Sequence, residues 1–370
     1  MTVLYTPPII HFGAGVLRDS GVLISKLGGQ KVYLVTTPGM QNRPFFNSFK
    51  SSLYEAGLNV TCWAGVPAEP GLADLESALA EAVVVNPDVI VGFGGGSAMD
   101  VAKLVGMLLR NDWPVSNYYG TNRVLKPSLP VVMVPTTAGS GSEVSQDAVM
   151  TDRQLGTKVA VKDPKLVPTM AIVDPVTTTT CSPMLTAISG IDALTHAFEA
   201  YTAQRANQLT DMYAAKSINL LWNFLPQAFI RPNDMDARLQ VAMGALIAGM
   251  AFSSTGTAAV HACGYPLSGR YNIPHGKANA LMLPHVVAFN EKSCAKYSEL
   301  RALLGEDDLP AALTHFIKGI GLPIRLREVE IERSSISSLA ALAATDERHL
   351  SANPCPMSES DLVSLYNLAW

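Results

Sequence analysis

The chain of 370 residues has seven histidines, and three of them have neighbours or spacings that suit a metal. Asp192 and His196 lie four apart in GIDALTHAFEAY, a spacing that puts both side chains on one face of a helix. His261 and His275 follow in VHACGYPLSGRYNIPHGKANA, the second between a proline and a glycine. Three neutral imidazoles and one carboxylate suit Fe²⁺, Zn²⁺, Mn²⁺ or Co²⁺. A Lewis acid held there polarises a carbonyl or stabilises an alkoxide. Spacing alone fits a hydrogen-bonded Asp–His pair equally well. Of the other histidines, His315 and His349 read as ordinary helix or surface residues.

A second group is built for a phosphate. The segment DVIVGFGGGSAMDVAKLVGMLL, from Asp88 to Leu109, reads as a strand, a turn Gly94-Gly95-Gly96-Ser97, and a helix. Glycine lets the backbone turn tightly and approach a ligand. The first N–H groups of the following helix lack partners and, with the helix dipole, favour a pyrophosphate. Asp100, in the first turn of that helix, is placed to reach a ribose hydroxyl. The pattern is neither G-x-G-x-x-G nor a Walker loop, and an ordinary glycine-rich turn capped by Ser97 explains it too. PTTAGSGSE, from Pro135 to Glu143, follows another strand and brings Thr136, Thr137 and Ser140. Small hydroxyl residues and glycines at two strand ends suit a dinucleotide, though a solvated loop has the same composition.

The elements that must carry these groups divide the chain in two. Short β-branched runs at Val32–Val35, Val89–Phe93 and Val131–Val134 alternate with helical pattern, clearest at Leu72–Val85. That alternation predicts a mainly parallel sheet wrapped by helices. From about Pro183 apolar residues recur at helical spacing: Leu185, Ile188, Ile191 and Leu194 mark one buried face. Asp211–Leu221, Arg238–Phe252 and Leu309–Ile320 read as further helices. The expectation is an α/β Rossmann-like domain over residues 1–178 and an all-helical domain over 179–370.

Composition narrows the classes. With 48% hydrophobic and 16% charged residues and a net charge of −4, the chain reads as core-rich, without the basic face that nucleic acid selects. Five scattered cysteines with no Cys-x-x-Cys pair argue against a disulfide framework or zinc finger. The opening MTVLYTPPIIHFG lacks a basic and then apolar leader, so a cytoplasmic protein is expected. Val241–Cys263 has no Asp, Glu, Lys or Arg. Its many small residues fit close packing inside a protein better than a membrane span.

Taken in order, GGGSAMDVAK, PTTAGSGSEV, Lys158, Pro168, Asp174-Pro175, GIDALTHAFEAY, GMAFSSTG and PHGKANA resemble the iron-containing (group III) alcohol dehydrogenase family over nearly the whole length. The resemblance implies a first domain that binds NAD or NADP. It implies a helical domain that holds one divalent metal, Fe²⁺ or Zn²⁺, through Asp192, His196, His261 and His275, with the active site in the cleft between domains. It places Gly94, Gly95, Gly96, Ser97, Asp100, Thr136, Thr137, Ser140 and Lys158 at the cofactor, Thr37 at the end of the first strand beside it, and Phe252 near a small alcohol or aldehyde. A homodimer is expected on general grounds.

Two departures from the family pattern matter. Many members carry a further histidine four residues after the position of His261, where this chain has Tyr265. A tyrosine can still exchange a proton, but its ordinary pKa is about 10. NAD-preferring members often end the first strand with an acid. Here it ends Val35-Thr36-Thr37-Pro38-Gly39, which admits NADP; Arg43, close by in sequence, could pair with a 2′-phosphate, though a solvated side chain is the more ordinary reading. Arg270 would favour an anionic substrate if it turned inward. The rivals to a metal-dependent dehydrogenase are a metal-free maleylacetate-reductase-type enzyme, a dehydroquinate-synthase-type lyase and a non-catalytic nucleotide-binding protein.

Overall fold

The computed structural model describes residues 3–152 and 157–370. Among the described residues, nine strands are β1 Ile9–Phe12, β2 Lys31–Thr36, β3 Asn59–Trp63, β4 Val89–Gly94, β5 Gly120–Thr121, β6 Val131–Pro135, β7 Asp147–Asp152, β8 Thr157–Lys162 and β9 Met170–Val173. Among them run helices α1 Ser20–Ser25, α2 Pro44–Glu55, α3 Leu72–Val85 and α4 Gly96–Leu108. The chain divides into an α/β unit, Tyr5–Thr137 with Gly141–Thr180, and a helical unit, Cys181–Trp370 with Ala138–Ser140 and the first residues of the chain.

In the α/β unit six parallel strands stand in the order β1-β9-β6-β4-β2-β3. Alternate residues of the central strands enter opposite cores. Tyr33, Val35, Ile90, Val131 and Met133 face one side; Val32, Leu34, Val91, Phe93, Val132 and Val134 face the other. A sheet buried on both faces needs the continuous apolar runs seen in the sequence. The chain steps outward from β2 to β3 and then returns to place β4 on the other side of β2. This is a topological switch point, and the crevice at the carboxyl ends of such strands is where ligands bind in open α/β sheets. A smaller sheet, β5-β8-β7, joins an antiparallel pair to a two-residue strand; the sequence reading did not include it.

The helical unit contains α5 Pro183–Thr202, α6 Gln208–Ile230, α7 Met235–Thr255, α8 Ala259–Tyr271, α9 His275–Asn290, α10 Lys296–Leu304, α11 Leu309–Gly319, α12 Ile336–Ala344, α13 Glu347–Leu350 and α14 Glu359–Ala369. Ser182 caps α5 by accepting from the Leu185 N–H, and Pro183 takes the first position, where its missing donor costs nothing. The first turn stays in water: Leu185, expected on the buried face, is 42% exposed. From Gly190 to Thr202 every residue is buried, because α6, α7 and α9 all pack on α5. Among the described residues no single helix is long and apolar enough to cross a membrane; α7 and α8 pass that test only as a pair bent by 104°.

Candidate functional site

The buried part of α5 carries Asp192, His196 and Glu199. Ionisable groups in such a place are costly unless paired or ligated. The N-terminus of α9 comes so close that a Cβ on Gly276 would lie 2.0 Å from the Ile188 carbonyl oxygen, so only glycine permits the approach. That approach sets His275, the first residue of α9, against Asp192, with Nε2 3.6 Å from Oδ1. His261, in the first turn of α8, completes a cluster: one ligand atom each from Asp192, His261 and His275 lie within 4.8 Å of one another. His196 Nε2 stands 3.9 Å from Asp192 Oδ1, and its ring stacks on His261 at 4.9 Å and on Phe252 at 4.3 Å.

Burial and neighbouring charges pull the protonation of these groups in different directions. Burial pushes the His196 imidazole below its usual value, only partly offset by Asp192. Burial opposes the charge on Asp192, yet the surrounding histidines and Asn279 outweigh it and hold the carboxyl below the ordinary range. Burial also opposes a charge on His261, but Glu199 more than compensates and raises it. One amide stands among these acceptors: Asn279 Nδ2 donates to Asp192 Oδ1 at 2.9 Å and lies 3.3 and 3.2 Å from Nε2 of His261 and His275. Imidazole nitrogens and a carboxylate oxygen converging on one point repel one another unless a cation sits among them. The donor set fits a borderline-soft divalent metal.

Tyr265 lies beside the cluster, its ring 5.2 Å from that of His275 and 6.1 Å from that of His261. His349, expected to be an ordinary helix or surface residue, is instead 4% exposed. Its ring is 5.2 Å from Tyr265 and 6.1 Å from His261, and its Nδ1 is 2.6 Å from Asp346 Oδ2. Arg270 is exposed and donates to Ser338 Oγ at 2.9 Å, a surface tie between α8 and α12.

In the α/β unit the glycine turn stands at the switch point. Gly94 has φ +154°, a conformation L side chains rarely adopt. Thr136 N–H donates to the Gly94 carbonyl at 2.8 Å, and the Thr137 hydroxyl would be 3.4 Å from a Cβ on Gly95. The ends of β4 and β6 therefore form one ledge. Gly95 is the N-cap of α4 and has no side chain to fill that role, which leaves the first N–H groups open to a ligand. Thr37 continues β2 beside this ledge, and Arg43 is exposed at the start of α2.

Of the remaining cofactor candidates, three are hydrogen-bonded or ion-paired within the α/β unit. Ser97 donates to the Ala68 carbonyl at 2.7 Å. Asp100 is the fifth residue of α4 rather than part of its first turn. Its oxygens accept from Ser142 Oγ at 2.6 Å and the Val149 N–H at 3.0 Å. Lys158 pairs with Glu69 at 2.8 Å. Ser140 belongs to the helical unit. Sequence reading missed Glu199, Asn279 and His349. Glu199 did carry a signal, because positions 192, 196 and 199 share one helix face.

Comparison with known proteins identifies the family. Residues 7–175 match the family described as "Iron-containing alcohol dehydrogenase", and residues 186–370 match "Fe-containing alcohol dehydrogenase family, C-terminal". This chain belongs to the iron-containing alcohol dehydrogenase family. Among the family's curated members, a long-chain-alcohol dehydrogenase of Geobacillus thermodenitrificans is 35% identical over 98% of this chain and 95% of its own. An NAD-dependent methanol dehydrogenase of Bacillus methanolicus is 33% identical over 94% of each chain. A solved 1,3-propanediol oxidoreductase superposes with a TM-score of 0.96 at 32% identity, covering 100% of both chains. As a member of this family the chain is an oxidoreductase, an alcohol dehydrogenase.

Proposed function

We propose that the chain interconverts a small alcohol and its aldehyde by hydride exchange with NAD or NADP. One divalent metal, Fe²⁺ first and Zn²⁺ second, would be held by Asp192, His196, His261 and His275. The observation that carries this reading is the convergence of Asp192 Oδ1 with the histidine nitrogens on a buried point. When bound, the metal supplies a Lewis acid for the substrate oxygen. The chain's own residues do the rest. The ledge of Gly94–Gly96 with Thr136 and Thr137 receives the pyrophosphate against the open end of α4. Phe252 gives the pocket an apolar wall and backs the His196 ring. Tyr265 Oη and His349 Nε2 are the side-chain atoms beside the cluster able to take or return a proton; His349 Nδ1 already faces Asp346.

NADP is acceptable alongside NAD, because the turn after β2, Pro38–Asn42, has no acid to repel a 2′-phosphate. A homodimer is the expected assembly, readable by light scattering. The reading is tested by anaerobic purification, metal analysis, and NAD(P)H absorbance across a panel of alcohols and aldehydes with each cofactor. One metal per chain with metal-dependent turnover is the expected result. Equal turnover by fully metal-free protein would refute the metal-dependent mechanism and favour the maleylacetate-reductase type. Bound metal without redox turnover would favour a lyase.

A further inference from the structure

Asp192 and His196 are two of the three carboxylate or imidazole side chains on the buried stretch of α5. The third, Glu199, has no part in the function proposed above. It is 5% exposed, and a buried carboxylate is tolerated only with specific partners. Its Oε2 lies 2.6 Å from Nδ1 of His261, and its Oε1 accepts from the Val260 N–H at 2.7 Å. Both partners sit in the first turn of α8, whose N-cap residue, Ala258, has no capping side chain. Glu199 supplies an anionic cap from another helix.

The contact also decides which nitrogen of His261 carries the proton. A carboxylate only accepts, so the proton is on Nδ1 and Nε2 of the neutral ring keeps its lone pair. The other side of the ring agrees. Asn279 Nδ2, whose identity is fixed by donating to Asp192 Oδ1 at 2.9 Å, faces His261 Nε2 at 3.3 Å; an amide nitrogen only donates.

We infer that Glu199 is the positioning residue of the metal centre. It holds His261 as the Nδ1–H tautomer and fixes its ring, so that Nε2 is presented to the ion. This rests on the metal reading above. A carboxylate behind a ligating histidine raises the basicity of the ligand and removes the freedom to turn away. A plain helix cap would be satisfied by Val260 alone. The two roles separate in Glu199→Gln, because Val260 N–H and His261 Nδ1 are met by different carboxylate oxygens and the amide replaces one of these with an NH₂ donor.

The experiment uses the full chain as wild type, E199Q and E199D. Co²⁺ and Zn²⁺ are titrated anaerobically against a chromophoric chelator, with the Co²⁺ absorption spectrum and the far-ultraviolet circular dichroism recorded. E199Q is expected to lose about 10- to 100-fold in metal affinity and to change the Co²⁺ spectrum while keeping its helix content. E199D, which retains a carboxylate, is expected to recover part of both. Folded E199Q with affinity within twofold of wild type and an unchanged spectrum would reduce Glu199 to a helix cap. If E199Q does not fold, ¹⁵N-histidine spectra of Zn²⁺-loaded wild type decide: a proton on Nδ1 of His261 supports the inference and one on Nε2 overturns it. If the wild type binds neither ion, the metal reading falls first and the inference with it.

Discussion

Both units bury charged groups, and they treat them differently. In the α/β unit Lys103 is fully buried, and its ammonium donates to the carbonyls of Ser145 and Asp147 and to Ser145 Oγ. Asp100 accepts from Ser142 and Val149. Donors meet acceptors, and the cluster ties α4 to β7 and the loop before it. In the helical unit acceptors meet acceptors: imidazole nitrogens and Asp192 Oδ1 face one point with a single amide among them. A closed network is a structural device. An open convergence of lone pairs is a place for a cation. Perturbed protonation alone does not tell the two apart, because burial shifts Lys103 and Glu143 as it shifts His196.

The largest expected effect tests the open cluster. His261→Ala should lose bound metal and about a thousandfold of turnover, the scale of several kcal/mol of Lewis-acid stabilisation, measured by metal per chain and NAD(P)H absorbance. Retained metal and turnover would remove His261 from the ligand set. Next, Lys103→Met leaves the Ser145 and Asp147 carbonyls and Ser145 Oγ without their donor and removes the positive charge near Asp100; it should cost about 3–5 kcal/mol by urea unfolding, with metal per folded chain unchanged. A loss under about 1 kcal/mol would mean that the α/β network is not closed around Lys103.

The smallest effect is one of pH. Burial raises Glu143 to about 7 from 4.5. A carboxyl raised in the fold prefers to be protonated there, so the unfolded chain gains on ionisation and stability is lost as pH climbs from about 4.5 to about 7. The loss is on the order of 3 kcal/mol when complete. Glu143→Gln should remove that slope, and the melting-temperature difference between variant and wild type should widen over that window and level off above it. A constant difference would refute the assignment.

How much was legible followed from how local the cause was. The period of the apolar residues located β2, β4 and β6, and Leu72–Val85 matches α3 to the residue, because Gly71 and Asn86 bound it. The small sheet was not legible: Asp147–Asp152 and Thr157–Lys162 are mixed in polarity, and their pairing is made by tertiary context. The aspartate and histidines of the cluster stand out by type and motif. Glu199 shares that motif and helix face, but its role was not legible, because its partner is 62 positions away. His349 was misread because Asp346 takes its Nδ1 and its backbone N–H and lets a polar side chain lie buried.

Gly276 brings this contrast down to a single residue. It has no functional group, yet the close passage of α9 over the Ile188 carbonyl depends on its bareness. Any side chain there would run into the Ile188 carbonyl and press on Asp192 Cβ, 3.2 Å from the first added carbon, and so push His275 away from Asp192. The glycine is therefore as necessary to the geometry of the centre as the residues it brings together. Over generations of neutral drift, a position without chemistry of its own should change as rarely as the ligands.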